Sequence, residues 1–170
     1  MTTCAPILFK EPSRGGGAMA FKRILVPIDF SSCSLEAYRV AVSLARSEAA
    51  TLYLLHVIDR RALEAAREIG LTAEEIDEKP LHAKARRRLR EFLANEPDLP
   101  SDRKIVTGLP FQEIVQATRQ EQIDLIVMGR YGGGGELEKI FFGSTAEKVV
   151  RIAPCAVLSI PLAPESRRRP

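Results

Sequence analysis

Short apolar runs alternate with stretches of helical period along this chain, and that alternation constrains its fold more than any other feature. The runs lie at 23–29, 51–58, 104–107 (the weakest), 124–128 and 156–160. Their centres are apolar throughout rather than at every second position, the pattern of strands covered on both faces. Between them, 34–48 carries Leu35, Tyr38, Val42 and Ala45 at helical spacing behind serines suited to capping. The stretch 73–95 places Leu81, Ala85, Leu89 and Phe92 on one stripe, and 59–72 reads either as a short helix or as a connecting segment. Helix 110–120 opens on Pro110 and presents Phe111, Ile114, Val115 and Thr118. Helix 144–152 starts at Ser144 and Thr145, both good caps, and Pro154 stops it. Strand–helix alternation of this kind predicts an α/β fold, a parallel sheet with helices on both faces.

A length of 170 residues fits one domain. Residues 1–20 hold Pro6, Pro12 and three consecutive glycines without a hydrophobic period, and read as a disordered N-terminal arm, with Met19 an alternative start. Residues 21–161 form the domain. Residues 162–170, with Arg167–Arg169, read as a basic C-terminal tail. The 25 basic against 22 acidic residues leave a net charge of +3, too mild to argue for nucleic acid. No run of 18 apolar residues spans a membrane, and no apolar signal segment opens the chain. Cys4, Cys33 and Cys155 are odd in number and far apart, which fits neither a disulfide framework nor zinc. A reducing, cytoplasmic setting follows.

The strongest chemical signal follows the fourth run, in the segment from Gly129 through four consecutive glycines, Gly132 to Gly135, to Gly143-Ser144-Thr145. Glycines let a ligand approach the backbone, and successive amides can form an anion-binding nest. A helix start adds free N–H groups and a positive dipole end. Neither GxxxxGK[ST] nor GxGxxG is present here. The competing reading is a flexible loop before a capped helix, which binds nothing. Asp29 ends the first run and reads either as a ligand for ribose or adenine or as the start of a turn. If the first and fourth strands are neighbours, Asp29 and Gly129 face one crevice at the carboxyl ends of the strands.

These residues resemble the universal stress protein family. The resemblance rests on Ile24-Leu25-Val26-Pro27-Ile28-Asp29, Leu55-His56-Val57, Asp124 to Gly129, Gly143-Ser144-Thr145-Ala146-Glu147-Lys148-Val149-Val150-Arg151 and Ala153-Pro154-Cys155-Ala156-Val157-Leu158, and covers about 21–161. It implies an open five-stranded parallel sheet in the order 3-2-1-4-5, and homodimers paired through the last strand, Ala156–Ile160. In the ATP-binding branch the motif is G-x2-G-x9-G-[ST]. Here Gly129-x2-Gly132 fits, but ten residues separate Gly132 from Gly143, one more than the pattern. Carried over, Pro27 and Asp29 lie near adenine and ribose, and Val57 meets adenine through its backbone. Gly129, Arg130, Gly132 and Gly133 wrap ribose and phosphates, and Gly143, Ser144 and Thr145 hold the phosphate end. Magnesium would come with the nucleotide.

The expected function is therefore ATP binding in a stress-response regulator. No residue has a clear claim as general base, so any hydrolysis is slow. The longer loop favours a second class, a nucleotide-free dimer acting through protein partners. An adenylate-using enzyme is disfavoured because no SGGxDS motif occurs. His56 reads as a structural histidine, Cys155 as a small packing residue, and Cys33 as a thiol at a helix start beside the site. The cations Lys84, Arg86, Arg87, Arg88 and Arg90 read as a solvated face.

Overall fold

A computed structural model describes residues 21–70, 77–96, 101–132 and 143–162. The elements run β1 (Arg23–Pro27), α1 (Ser32–Glu48), β2 (Thr51–Asp59), α2 (Arg60–Glu68), α3 (Glu78–Phe92), β3 (Ser101–Gly108), α4 (Pro110–Gln120), β4 (Leu125–Gly129), α5 (Ser144–Ile152) and β5 (Ala156–Ile160). All four strand pairings are parallel and the order is β3-β2-β1-β4-β5. The disordered-arm and basic-tail readings, and Gly133, lie outside the described residues.

Alternation along the central strands sends side chains to two cores. Ile24, Val26, Leu52, Leu54 and Val127 pack under α1 and α3, against Ala37, Tyr38, Ala41, Val42 and Leu89. Leu25, Leu55, Ile126 and Met128 pack under α4 and α5, against Ile114, Ala117, Ala146 and Val149. Ile24, Val26, Ile126 and Val127 are fully buried, which is why their strands read as continuous apolar runs. Each such side chain contributes about 1.5–3 kcal/mol by leaving water.

Element boundaries depart from the sequence expectation where local chemistry decides them. α1 starts at Ser32 rather than 34, because the Ser31 side chain accepts from the Ser34 amide at 3.1 Å. Its buried stripe is Cys33, Ala37, Tyr38, Ala41, Val42 and Ala45, and Leu35 stays half-buried beside it. α3 is shorter than 73–95, beginning after Asp77, whose carboxylate caps it at the Lys79 amide. The ambiguous 59–72 contains α2, capped by Asp59 accepting from the Arg61 amide at 3.0 Å, with no buried residue. β3 runs for eight residues, all paired to β2. As an edge strand it tolerates exposed Asp102, Arg103 and Lys104, so apolar content understated its length.

Candidate functional site: a cavity at the strand-order switch

The sheet order reverses between β1 and β4, so the crossovers leaving these strands go to opposite sides and leave a crevice beyond their carboxyl ends. A cavity of about 560 Å³ occupies that crevice. Its apolar wall is built from Pro27, Ile28, Leu55, Val57, Met128 and, from α4, Pro110 and Ile114. Its rim carries Asp29, Arg130, Tyr131, Gly132, Gly143, Ser144 and Thr145. Of the ten residues carried over from the family motif, the structure brings nine to this cavity; the tenth, Gly133, is outside the described residues.

Backbone geometry explains how the site is held. Ile28 continues the β1–β2 ladder, donating its amide to the Leu55 carbonyl at 2.8 Å. The chain then turns at Phe30, whose φ of 65° is left-handed and costly for an aromatic residue. Asp29 Oδ1 accepts from the Ser31 amide at 3.0 Å and from the Ser31 hydroxyl at 2.5 Å. Asp29 is thus both the turn-former and an exposed carboxylate on the cavity rim. A β-carbon on Gly132 would stand 3.2 Å from Asp29 Oδ2.

On the β4 side, the Arg130 amide donates to the Ile160 carbonyl at 2.8 Å, and the Gly143 amide donates to the Arg130 carbonyl at 2.9 Å. The second bond brings the two described ends of the glycine-rich segment together, although ten residues separate Gly132 from Gly143. The cap of α5 corrects the expectation for Ser144 and Thr145. Gly143 is the N-cap, no side chain caps the helix, and Ser144 is the first helical residue. First-turn amides of this kind offer an anion donors and a positive dipole end.

Two cysteines and two histidines are placed by packing. Cys33 is 1% exposed and its thiol donates to the Ile160 carbonyl at 3.0 Å, behind Gly129 rather than open to the cavity. Burial first, then the Asp124 carboxylate, pushes the Cys155 thiol up to about 11, which suits a packing residue. His56 points to the face opposite Val57. Its Nδ1 lies 2.8 Å from the Ile28 carbonyl, which only accepts, so Nδ1 carries the hydrogen. Burial holds the His56 imidazole below its ordinary value, opposed by the Ile28 carbonyl and by Asp29. His82 Nε2 meets the Thr107 hydroxyl at 3.0 Å.

The sequence reading missed Ile28, Ser34, Leu55, Pro110, Ile114, Met128, Tyr131 and Ala146 as cavity residues. A usable signal existed for Pro110 and Ile114: they open the helix after β3, and a right-handed crossover must bring that helix over the crevice. Among the described residues, no group of three or more His, Cys, Asp or Glu side chains could hold a metal ion, and no helix is long and apolar enough to cross a membrane.

The universal stress protein family model matches residues 20–161. The chain belongs to the universal stress protein family. Universal stress protein MJ0531 of Methanocaldococcus jannaschii is 34% identical over 149 residues, covering 85% of this chain and 84% of that protein. The solved structure of MJ0577, from the same organism, superposes with a TM-score of 0.70 at 29% identity, covering 86% of this chain and 99% of that one. The universal stress protein of Archaeoglobus fulgidus solved in complex with dAMP shares the fold, with a TM-score of 0.58 at 20% identity over 84% of this chain and 99% of that one. Universal stress protein membership thus accounts for the sheet order and for a crevice between β1 and β4.

Proposed function

We propose that this universal stress protein binds an adenine nucleotide, preferentially ATP, in the cavity at the β1/β4 switch. One observation carries the reading: an apolar wedge, an exposed carboxylate and a helix start without a side-chain cap converge on one cavity of about 560 Å³. The volume suits a ligand of nucleotide size. In this reading adenine lies against Pro27, Val57 and the other apolar wall residues, with the Val57 backbone as its polar contact. Asp29 takes a ribose hydroxyl. Gly129, Arg130, Gly132 and Gly133 follow ribose and phosphates, and the start of α5, with Ser144 and Thr145, receives the phosphate end. Magnesium enters on the phosphates rather than in a protein-built cage. That a family member was solved with dAMP supports the ligand class.

In this reading the nucleotide serves as a bound signal, with at most slow hydrolysis. The protein acts as a homodimer through β5. That strand is a sheet edge, Leu158 is 38% exposed, and Val150 and Ile152 on the adjacent α5 are 49% exposed. A second copy covers both the unpaired edge and the apolar side chains.

Isothermal titration of Mg-ATP into the purified protein tests the reading. Saturable binding at one nucleotide per chain, lost in Ser144→Glu, supports it. No heat and no retained nucleotide at millimolar ATP overturns it, and favours a nucleotide-free dimer that uses its partners, the reading suggested by the one-residue-longer glycine segment.

A further inference from the structure

We propose that His56 is a positioning residue that fixes the Asp29 carboxylate at the nucleotide cavity from the opposite face of the sheet, and makes ligand affinity depend on its protonation. The inference rests on the nucleotide reading above. His56 holds both neighbours of Asp29 at once. Its Nδ1–H donates to the Ile28 carbonyl at 2.8 Å, and its ring lies 4.4 Å from the Phe30 ring, centroid to centroid. Phe30 is the residue with the left-handed backbone, and such a conformation persists only where the surroundings impose it. Those surroundings are His56, Phe92 edge-on at 5.6 Å and the Arg88 guanidinium 4.5 Å above the ring. The turn that aims Asp29 at the cavity is therefore clamped by a stack that touches no ligand.

Adding a proton to His56 changes that stack. The charged groups facing the imidazole are Asp29 at the turn and Arg88 and His82 on α3. Arg88 is cationic and the ring is half-buried, so a second proton on the imidazole is disfavoured. The protonated form repels Arg88 but keeps the Nδ1–H bond to Ile28 and attracts the Asp29 carboxylate, so the carboxylate shifts and affinity changes as pH falls.

Two variants separate the parts of the clamp. His56→Phe keeps a ring and loses the donor, whereas His56→Asn keeps a donor near the Nδ1 position and loses the ring. Each is expected to weaken Mg-ATP binding about three- to tenfold, the scale of one hydrogen bond or ring contact. In an Asp29→Ala background the same changes should cost nothing further, because His56 acts through Asp29. ATP phosphates titrate in the same pH range, so the pH effect is read as the difference between wild type and His56→Phe. A readout independent of nucleotide is the Ser31 amide resonance, since that amide donates to Asp29. In the wild type it should move between pH 8 and 5 with the His56 ring, and in both variants start from a displaced position. A Ser31 amide that ignores both pH and substitution overturns the inference, as does an equal loss with and without Asp29. Absence of binding by the wild type overturns only the nucleotide reading, because the amide still reports on the clamp.

Discussion

A β-carbon on Gly129 would lie 2.9 Å from the carbonyl carbon of Cys33 and 3.0 Å from the Ser34 nitrogen. The end of β4 and the first turn of α1 are in backbone contact, with no room for a side chain between them. Gly129 therefore has a packing role that stands whether or not a ligand approaches it. Gly129→Ala must separate α1 from β4. A stability loss of about 1–3 kcal/mol is expected for such overpacking, seen as a lowered urea midpoint without a nucleotide present. An unchanged midpoint would show that α1 yields freely.

Gly143 and Ser144 test the phosphate end. Gly143→Asp puts a carboxylate at the start of α5 and a β-carbon 3.3 Å from the Arg130 carbonyl oxygen. An acid at a helix N-terminus favours the helix by a few tenths of a kcal/mol, so folding should survive while an anionic ligand is repelled. Loss of Mg-ATP binding with a retained melting temperature is the expected result, by titration and thermal denaturation. Adenosine, which lacks phosphate, should bind the variant and the wild type alike.

Much of the architecture was legible because burial on both faces leaves a strong mark. β1 and β4, with Ile24, Val26, Ile126 and Val127 fully buried, could hardly be anything but central strands. β3 was harder, since its outer edge and the start of the strand face water and admit Asp102, Arg103 and Lys104. The start of α1 was blurred by Ser31, Ser32 and Ser34, any of which can cap a helix; the Ser31 to Ser34 bond decides it. The strand order came from the family resemblance rather than from periodicity. At the site, motif residues such as Asp29 and Gly143 were visible, but of the apolar wall only Pro27 and Val57 were. Ile114 and Met128 look like ordinary core residues; the crossover from β3 brings Ile114 to the crevice, and Met128 reaches it from the end of β4.

The His56 environment fixes the sign of one pH effect on stability. Burial holds the imidazole of the folded protein below its ordinary value near 6.5, so the unfolded chain binds the proton more readily. The contribution of neutral His56 is fully present above about pH 6.5 and is lost as pH falls below it. Urea midpoints measured at pH 8 and pH 5.5 should fall more for the wild type than for His56→Phe. An equal fall in both would show that His56 carries none of the dependence.

Leu158→Glu probes the proposed dimer. The side chain is on an edge strand and 38% exposed, so the change costs the folded monomer little. Placed against a second copy, the same charge would be desolvated on both sides of the two-fold. Sedimentation velocity should show the wild type as a dimer and the variant as a monomer of unchanged secondary structure. A wild type that sediments as a monomer at tens of micromolar would remove β5 as the interface.

The most direct test of the central claim is titration of Mg-ATP into the wild-type protein beside Asp29→Ala and Ser144→Glu. One nucleotide per chain is predicted for the wild type, with affinity reduced about tenfold or more in Asp29→Ala and binding abolished in Ser144→Glu. Saturable binding that survives both substitutions would place the nucleotide elsewhere, and no binding by the wild type would contradict the account outright.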